Sequence, residues 1–154
     1  MNDCVFCKII SGDLPGTIVD EDQHCLVIMD IQPINQGHVL VIPKQHLEYL
    51  DDLPPDLASH LFQVTLKVAR GLRKSGIRCD GINLLVADGK EANQEIPHFH
   101  FHVVPRYQND GFGFTFSEAV AELPTRDELE KNAHHIRQAL LLERKENKEE
   151  KEFD

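Results

Sequence analysis

The residues best suited to chemistry form a short run in which histidine occupies every second position. His98, His100 and His102 alternate with single hydrophobic residues, and Pro105 follows. Successive side chains of a β-strand point to opposite faces, so a strand would gather the three imidazoles on one face and leave the other to Phe99, Phe101 and Val103. Pro105 is expected to end the strand, because proline has no N–H for the ladder. Near neutral pH, such imidazoles act as nucleophiles, general acids or bases, or metal ligands.

A second candidate group lies at the N-terminus, where two residues separate Cys4 from Cys7. This spacing brings two thiolates within reach of one metal ion. The motif lacks the preceding strand of a thioredoxin-like redox site. Taken alone, the spacing fits a zinc site and a chance occurrence equally well. Cys25 and Cys79 lie inside hydrophobic segments, and we expect both to be buried thiols rather than disulfide partners.

Composition restricts the class of protein. The chain has 154 residues, 41% hydrophobic and 27% charged, which is typical of a globular protein with one domain. No segment approaches the roughly 20 apolar residues that span a membrane, and the first residues lack the basic and apolar regions of a signal peptide. We therefore expect a cytoplasmic protein with no membrane partner. The formal net charge of −10 disfavours nucleic acid as a partner, because phosphate binding requires a basic surface.

Hydrophobic periodicity predicts the elements that must position these residues. Five strands are predicted, at 17–19, 24–30, 38–43, 82–87 and 98–105. Hydrophobic residues three to four positions apart predict a long helix over 55–75, which Gly76 is expected to end. A short helix over 4–11 precedes the sheet, and a C-terminal helix opens with a capping box of Thr125 and Glu128. This order predicts an α+β domain around an antiparallel sheet.

Several motifs together resemble the histidine triad (HIT) family. The family motif, three histidines each followed by hydrophobic residues, stands at 98–104, and Gln94 matches a glutamine that precedes it. The segments at 4–10, 30–33 and 37–46 and the pair Pro105-Arg106 also match, so the resemblance covers residues 1 to 107. It implies a HIT-like fold with a five-stranded antiparallel sheet, one long helix, and N- and C-terminal helices. It also implies one domain over 1–154, with its core at 4–107 and a helical extension at 117–150.

The resemblance implies an enzyme that cleaves nucleotides at the α-phosphate. His100 would be the nucleophile that forms a covalent nucleotidyl-histidine, from which water releases the nucleoside monophosphate. His102 would donate to the phosphate or the leaving group, which contributes roughly 10²–10⁴-fold. Gln94 would orient the scissile oxygen and the attacking water. The implied substrate is a purine nucleotide conjugate, either a dinucleoside polyphosphate or a nucleoside phosphoramidate, and no organic cofactor is implied.

The resemblance also assigns residues to nucleotide binding. Asp30 would accept hydrogen bonds from the ribose hydroxyls, although by itself it also fits a turn residue at the end of a strand. Ile28 and Met29 would line the base pocket, and His38 would lie near the ribose. The family further implies a homodimer whose two sheets join along an uncovered strand edge.

A structural zinc ion is the cofactor that the resemblance implies. In zinc-containing members of the family, two cysteines join two histidines around the metal. Carried over to this chain, the ligands are Cys4, Cys7, His46 and His98, a Cys₂His₂ set typical of a closed structural site. Such a site would pin the N-terminal helix against the sheet beside the nucleophile.

Three residues before the histidines depart from the family pattern. Ala87 stands where asparagine is usual, Asn93 replaces a glycine, and Glu95 replaces a small hydroxyl residue. Glu95 is either a carboxylate that opposes the phosphate or a solvated loop charge, and the solvated position is our expectation. Two alternatives to the hydrolase therefore stay open. One is a nucleotide-binding or partner-binding HIT protein with little turnover, and the other is a metal-dependent enzyme that uses all three histidines as ligands.

The resemblance is weakest after residue 107. The leaving-group pocket is expected there, built from the loop at 107–116 and the C-terminal segment. Three phenylalanines of this loop either close over a ligand or pack on the domain, and packing is our expectation for Phe112, Phe114 and Phe116.

Overall fold

The computed structural model of the chain describes residues 3–114 and 123–152, with side chains as far as residue 143. Contacts divide the chain into two units, Met1–Phe112 and Gly113–Asp154. The first unit holds a β-sheet with helices α1 (Val5–Ile10) and α2 (Pro55–Leu72), and the second holds helix α3 (Arg126–Glu152). Phe116 and the predicted helical residues 117–122 lie outside the described residues.

The sheet has five strands, as the sequence predicts. They are β1 (Ile18–Glu21), β2 (Cys25–Met29), β3 (Val39–Pro43), β4 (Gly81–Leu85) and β5 (Phe101–Arg106). All four strand pairs are antiparallel, and the order is β1-β2-β3-β5-β4. Single-turn 3₁₀ helices at Leu50–Asp52 and Lys90–Ala92 lie in the loops before α2 and β5. The predicted α+β fold with one long helix is confirmed, and the histidine segment leads into a central strand.

The histidine segment differs from its prediction at both ends. Strand β5 begins only at Phe101, so His98 and His100 lie in the segment before it, and His98 belongs to a bend in that segment. Pro105 lies inside β5 rather than after it. The carbonyl of Pro105 accepts a hydrogen bond from the Asn35 side chain at 2.9 Å, and β3 pairs with β5 only as far as Val103. At Pro105 the Asn35 side chain takes the place of a neighbouring strand, so no strand carbonyl there needs the backbone N–H that proline lacks.

The two faces of the histidine segment separate as predicted. Phe99 and Val103 are buried in the core between the sheet and α2, and Phe101 packs against that core. The same core contains the apolar stripe of α2, formed by Leu61, Val64, Val68 and Leu72. A smaller core on the opposite face joins Phe6 of α1 to the sheet residues Leu26, Ile28, Leu40 and Ile42. The histidines therefore lie on the α1 face.

The end of α2 was predicted too late. The helix ends at Leu72, and Arg73 caps it in a right-handed conformation. Gly76 adopts φ 81° in the turn that follows, so its conformational freedom serves this turn and not the helix cap.

Helix α3 begins with the predicted capping box. The hydroxyl of Thr125 accepts from the backbone N–H of Glu128 at 3.3 Å, and the Glu128 carboxylate accepts from the backbone N–H of Thr125 at 2.8 Å. None of the described helices, α3 included, is both long enough and apolar enough to cross a membrane.

Candidate active site

Four histidines and one carboxylate form a connected series across the α1 face of the sheet. Nε2 of His38 lies 3.0 Å from Nδ1 of His102, and the ring centroids of His102 and His100 are 4.6 Å apart. Nδ1 of His100 lies 2.8 Å from the carbonyl oxygen of His98. Asp30 closes the other end, with Oδ2 at 3.3 Å from Nδ1 of His38. We call the four histidines, in the order 38, 102, 100, 98, the histidine row.

The tautomer of His100 follows from its hydrogen bond. A carbonyl oxygen can only accept, so Nδ1 of His100 carries the proton and donates to His98. Burial lowers the pKa of His100, and the side chain is 7% exposed, so the ring is neutral near pH 7. A neutral ring with its proton on Nδ1 has a free lone pair on Nε2. That nitrogen is the one available to a ligand as a nucleophile.

The tautomers of His38 and His102 follow in the same way. The backbone N–H of Ile34 donates to Nδ1 of His38 at 3.2 Å, so the proton of a neutral His38 is on Nε2 and is donated to His102. The Asp30 carboxylate would favour a proton on the same Nδ1. The N–H of Ile34 has a fixed direction and burial lowers the pKa of His38, so Nδ1 stays unprotonated in the neutral ring. Burial also lowers the pKa of His102 to about 4. His102 is therefore a neutral ring that accepts at Nδ1 and donates from Nε2–H.

A cleft of about 830 Å³ opens beside the histidine row. It is the size of cavity that holds small-molecule ligands. His38, His100 and His102 line one wall, and most of the remaining lining is apolar, from Phe6, Ile9, Leu14, Ile28, Met29, Ile34, Leu40 and Ile96. Six predicted site residues thus share one cleft: Ile28, Met29, Asp30, His38, His100 and His102.

The side chain of Gln94 takes another direction. Its Nε2 donates to the carbonyl of Glu48 at 2.8 Å, and its Oε1 accepts from the N–H of Gly89 at 2.8 Å. Gln94 is not among the residues that line the cleft. In this structure the amide joins the loop before α2 to the loop before β5, and its predicted catalytic role stays a prediction.

Two cysteines and two histidines converge beside the histidine row. The candidate ligand atoms of Cys4, Cys7, His46 and His98 all lie within 4.8 Å of one another, and we call this set the metal-ligand cluster. Sγ of Cys4 is 3.4 Å from Nδ1 of His98, and Sγ of Cys7 is 3.3 Å from Nδ1 of His46. Metal–ligand bonds of about 2.0–2.3 Å in a tetrahedron separate the ligand atoms by roughly 3.3–3.8 Å. The donor set and its spacing therefore fit zinc.

His98 connects the metal-ligand cluster to the histidine row. Its Nε2 donates to the carbonyl of Pro43 at 2.9 Å, which leaves the lone pair of Nδ1 directed at the cluster. Its own carbonyl accepts the proton of His100. The ring of Phe6 packs edge-on against both, with centroids at 5.8 Å from His98 and 5.1 Å from His100. The sequence analysis did not place Phe6 in the site, and the one feature that could have predicted it is its position between Cys4 and Cys7.

Two further polar groups were also missed, and both organise loops. Asp22 accepts from the backbone N–H groups of His24 and Cys25 and from Nε2 of His60, which ties the β1–β2 hairpin to α2. Arg106 binds Asp110 and lies 4.7 Å from the Phe112 ring. Phe112 thus packs on the domain, and none of residues 107–112 lines the cleft.

A family model described as HIT domain matches residues 11–109 of the sequence. The chain belongs to the HIT domain family. Its curated HIT relatives include an uncharacterized HIT-like protein of Methanocaldococcus jannaschii, 44% identical over 115 residues that cover 75% of this chain and 88% of the relative. The adenylylsulfatase HINT3 of Arabidopsis thaliana is 40% identical over 71% of this chain and 55% of the relative. The adenosine 5′-monophosphoramidase HNT1 of Saccharomyces cerevisiae is 35% identical over 67% of this chain and 62% of the relative.

Solved HIT structures share the fold. A HIT family protein from Bacillus anthracis superposes with a TM-score of 0.79 at 40% identity, covering 90% of this chain and 97% of the other. A zinc-bound histidine triad family protein from Mycobacterium smegmatis superposes with a TM-score of 0.70 at 44% identity, covering 76% of this chain and 84% of the other. The five-stranded antiparallel sheet with three helices is therefore the HIT fold.

Proposed function

We propose that this HIT protein is a hydrolase that cleaves a purine nucleotide conjugate at its α-phosphate, through a covalent nucleotidyl intermediate on His100. The observation that carries the proposal is the hydrogen bond from Nδ1–H of His100 to the His98 carbonyl, which leaves Nε2 as a neutral nucleophile beside the cleft. The names of two relatives, an adenylylsulfatase and an adenosine 5′-monophosphoramidase, support cleavage of a phosphorus–oxygen or phosphorus–nitrogen bond next to adenosine.

The first step forms one bond and breaks one. Nε2 of His100 attacks the α-phosphorus, the bond from phosphorus to the leaving group breaks, and the leaving group departs with the bonding electrons. The imidazole becomes positively charged, and the His98 carbonyl stabilises that charge through the Nδ1–H it already accepts. Water then attacks phosphorus in the second step, the phosphorus–nitrogen bond breaks, and the neutral imidazole and the nucleoside monophosphate are released.

His102 serves this reaction as a donor. Its Nε2–H is available because its Nδ1 already accepts from His38. A donor near the reacting phosphate stabilises its oxygens and the charge that develops on the departing atom by hydrogen bonding. A neutral imidazole does not give up this proton, so the departing atom takes its proton from solvent, and the water that attacks in the second step returns one to solvent. His38 touches neither phosphate nor leaving group in this scheme. It is a positioning residue that fixes the tautomer of His102.

The nucleoside occupies the other part of the cleft. Asp30 is proposed to accept from the ribose hydroxyls, and its second oxygen already accepts from the backbone N–H of Gln32 at 2.8 Å, which holds the carboxylate in place. Ile28 and Met29, both in the lining, offer the base an apolar surface. Gln94 would have to leave its contacts with Glu48 and Gly89 to orient the scissile oxygen.

We infer that the metal-ligand cluster holds a structural zinc ion. A Cys₂His₂ set closes all four positions of a tetrahedral ion, which then stabilises the fold without offering an open position to substrate. The zinc-bound relative from Mycobacterium smegmatis supports the metal type. We expect one zinc per chain by elemental analysis, retained in His100→Ala and lost in Cys4→Ala. Zinc lost from His100→Ala as well would favour the alternative in which all three histidines bind one metal.

That alternative is disfavoured by the directions of the rings. Nδ1 of His98 lies among the cysteines, Nδ1 of His100 is bound to a carbonyl, and Nδ1 of His102 accepts from His38. The three rings therefore offer no common centre through these atoms. Binding without turnover stays the second candidate function, because Glu95 adds a carboxylate to a cleft that must hold a phosphate.

The test is the mass of the intact protein after quenching without acid during reaction with an adenosine phosphoramidate. Wild type is expected to gain one adenylyl group, and His100→Ala is expected to gain none. His24→Ala, which removes an exposed histidine outside the cleft, is the matched control and should behave as wild type. An equal adduct on His100→Ala would refute the nucleophile. Binding without any adduct on wild type would favour the binding protein.

We also propose a homodimeric, cytoplasmic protein that acts on nucleotides rather than on nucleic acid. The outer strands β1 and β4 each offer a second chain one free edge within the described sheet. All four cysteines are free thiols in the structure, which agrees with a reducing compartment. Light scattering of the purified protein tests the dimer.

A further inference from the structure

The cleft is acidic for a site that must hold a phosphate. Two carboxylates line it, those of Asp30 and Glu95, and none of the described residues in its lining is lysine or arginine. A substrate therefore meets negative charge in the cleft and no fixed positive charge.

The two carboxylates lie at opposite ends of the histidine row. Asp30 contacts His38, the first member of the row. Glu95 also lines a second, smaller pocket, together with Cys4 and His46 of the metal-ligand cluster. That cluster includes His98, which is the last member of the histidine row. His100 lies between the two ends, hydrogen-bonded to the carbonyl of His98 on one side and with its ring 4.6 Å from that of His102, at a tilt of 59°, on the other.

Glu95 is also free to bind a ligand. Among the described residues, its exposed carboxylate has no hydrogen-bond or ion-pair partner. Asp30, in contrast, is held by the N–H of Gln32 and lies beside His38. The expectation that Glu95 is a solvated loop charge agrees with its exposure, but its position also makes it part of the cleft wall.

This arrangement bears on the leaving group, in a way that rests on the proposed function. If the ribose binds at Asp30 and Nε2 of His100 attacks phosphorus in line, the leaving group departs opposite Nε2 and outside the space that the nucleoside fills at Asp30. Of the two carboxylates in the lining, Glu95 is then the one that the leaving group can meet. A second phosphate chain there would meet an unpaired carboxylate, whereas a protonated amine would gain an ion pair.

We propose that Glu95 is a specificity-determining residue that selects nucleotide conjugates whose leaving group carries a positive charge. The substrate class is then a nucleoside phosphoramidate or ester of a cationic amine-containing molecule, and a dinucleoside polyphosphate is a poor substrate. The reaction is unchanged: His100 displaces the cationic group from phosphorus, and that group leaves with the bonding electrons, hydrogen-bonded to His102, and takes a proton from solvent.

The test uses three adenosine 5′-phosphoramidates of one chain length. Their leaving amines end in an ammonium, a hydroxyl or a carboxylate, and the chain is long enough to equalise the reacting nitrogens. For each conjugate, kcat/KM is measured with wild type, Glu95→Gln and Glu95→Lys, and Kd is measured on His100→Asn with and without Glu95→Gln. Glu91→Gln removes a neighbouring exposed carboxylate outside the cleft and is the matched control.

The readout is the kcat/KM of the cationic conjugate divided by the kcat/KM of the anionic conjugate, taken within each variant. This ratio cancels effects that are common to all three substrates. We expect a ratio of about fivefold or more in wild type, near one in Glu95→Gln and inverted in Glu95→Lys. Added salt should reduce the wild-type ratio, since the site is partly exposed. The control should keep the wild-type ratio.

Two outcomes separate this inference from the function on which it rests. A ratio that survives Glu95→Gln, in turnover and in Kd alike, overturns the role of Glu95 while leaving hydrolysis intact. If no conjugate turns over, the proposed hydrolysis fails, and the Kd ratios on His100→Asn still decide whether Glu95 selects for charge.

Discussion

Protonation of His102 is expected to destabilise the folded protein in a defined pH range. Burial, followed by the charges of His100 and His38, lowers the pKa of His102 from 6.5 to about 4. In the unfolded chain the same side chain titrates near 6.5. Between these two values the unfolded chain binds a proton that the folded chain does not, so the free energy of unfolding rises with pH across this window.

The two pKa values fix the size of the effect. Linkage gives about 2 kcal/mol of stability that is present at about pH 7.5 and lost by about pH 5. His102 is partly exposed, and screening by solvent reduces this figure to about 1–2 kcal/mol. Replacement of His102 by asparagine removes the titration and keeps a polar side chain against His38.

The assay is urea denaturation of wild type and His102→Asn at both pH values. The stability of wild type relative to the variant should fall by about 1–2 kcal/mol on acidification. The metal-ligand cluster is present in both proteins, so its own response to acid cancels in the difference. His102→Gln identifies any packing defect particular to asparagine. If the difference between wild type and both variants is the same at the two pH values, the reasoning is refuted.

Three further predictions test the fold. Phe99 is 1% exposed in the core between the sheet and α2. Its replacement by alanine should lower the free energy of unfolding by about 3–5 kcal/mol, measured as a shift of the urea midpoint. A loss below about 1 kcal/mol would contradict its place in that core. Burial raises the pKa of Asp22, but the hydrogen bonds that its carboxylate accepts from two backbone N–H groups and from His60 outweigh burial and lower the pKa. The stability that Asp22 contributes is therefore present above about pH 4 and is lost as the pH falls below that value. Asp22→Asn should be less stable than wild type at neutral pH and approach it in acid, and a difference independent of pH would argue against this. Replacement of Thr125 by alanine should weaken the start of α3 by about 1 kcal/mol, seen as reduced far-UV ellipticity that serine restores, and unchanged ellipticity would show that the cap contributes nothing.

Alternation along the chain predicted the histidine segment well, because backbone geometry alone sets it. The division between His98, His100 and His102 on one face and their hydrophobic neighbours on the other holds even though pairing begins only at Phe101. The place of Pro105 could not be predicted, because it depends on a hydrogen bond from Asn35, 70 residues away along the chain.

The sequence by itself determined the five strands, the long helix and the candidate chemistry of three histidines and two cysteines, since periods of two and 3.6 residues and residue types are local properties. Only the tertiary structure decided which nitrogen of each histidine carries the proton, where the Gln94 amide points, and that Glu95 lines the same cleft as Asp30. These features depend on contacts between distant segments, such as Cys4 with His98 across 94 residues and His38 with His102 across 64. The folded positions of several loops set such contacts together, and no local pattern encodes them.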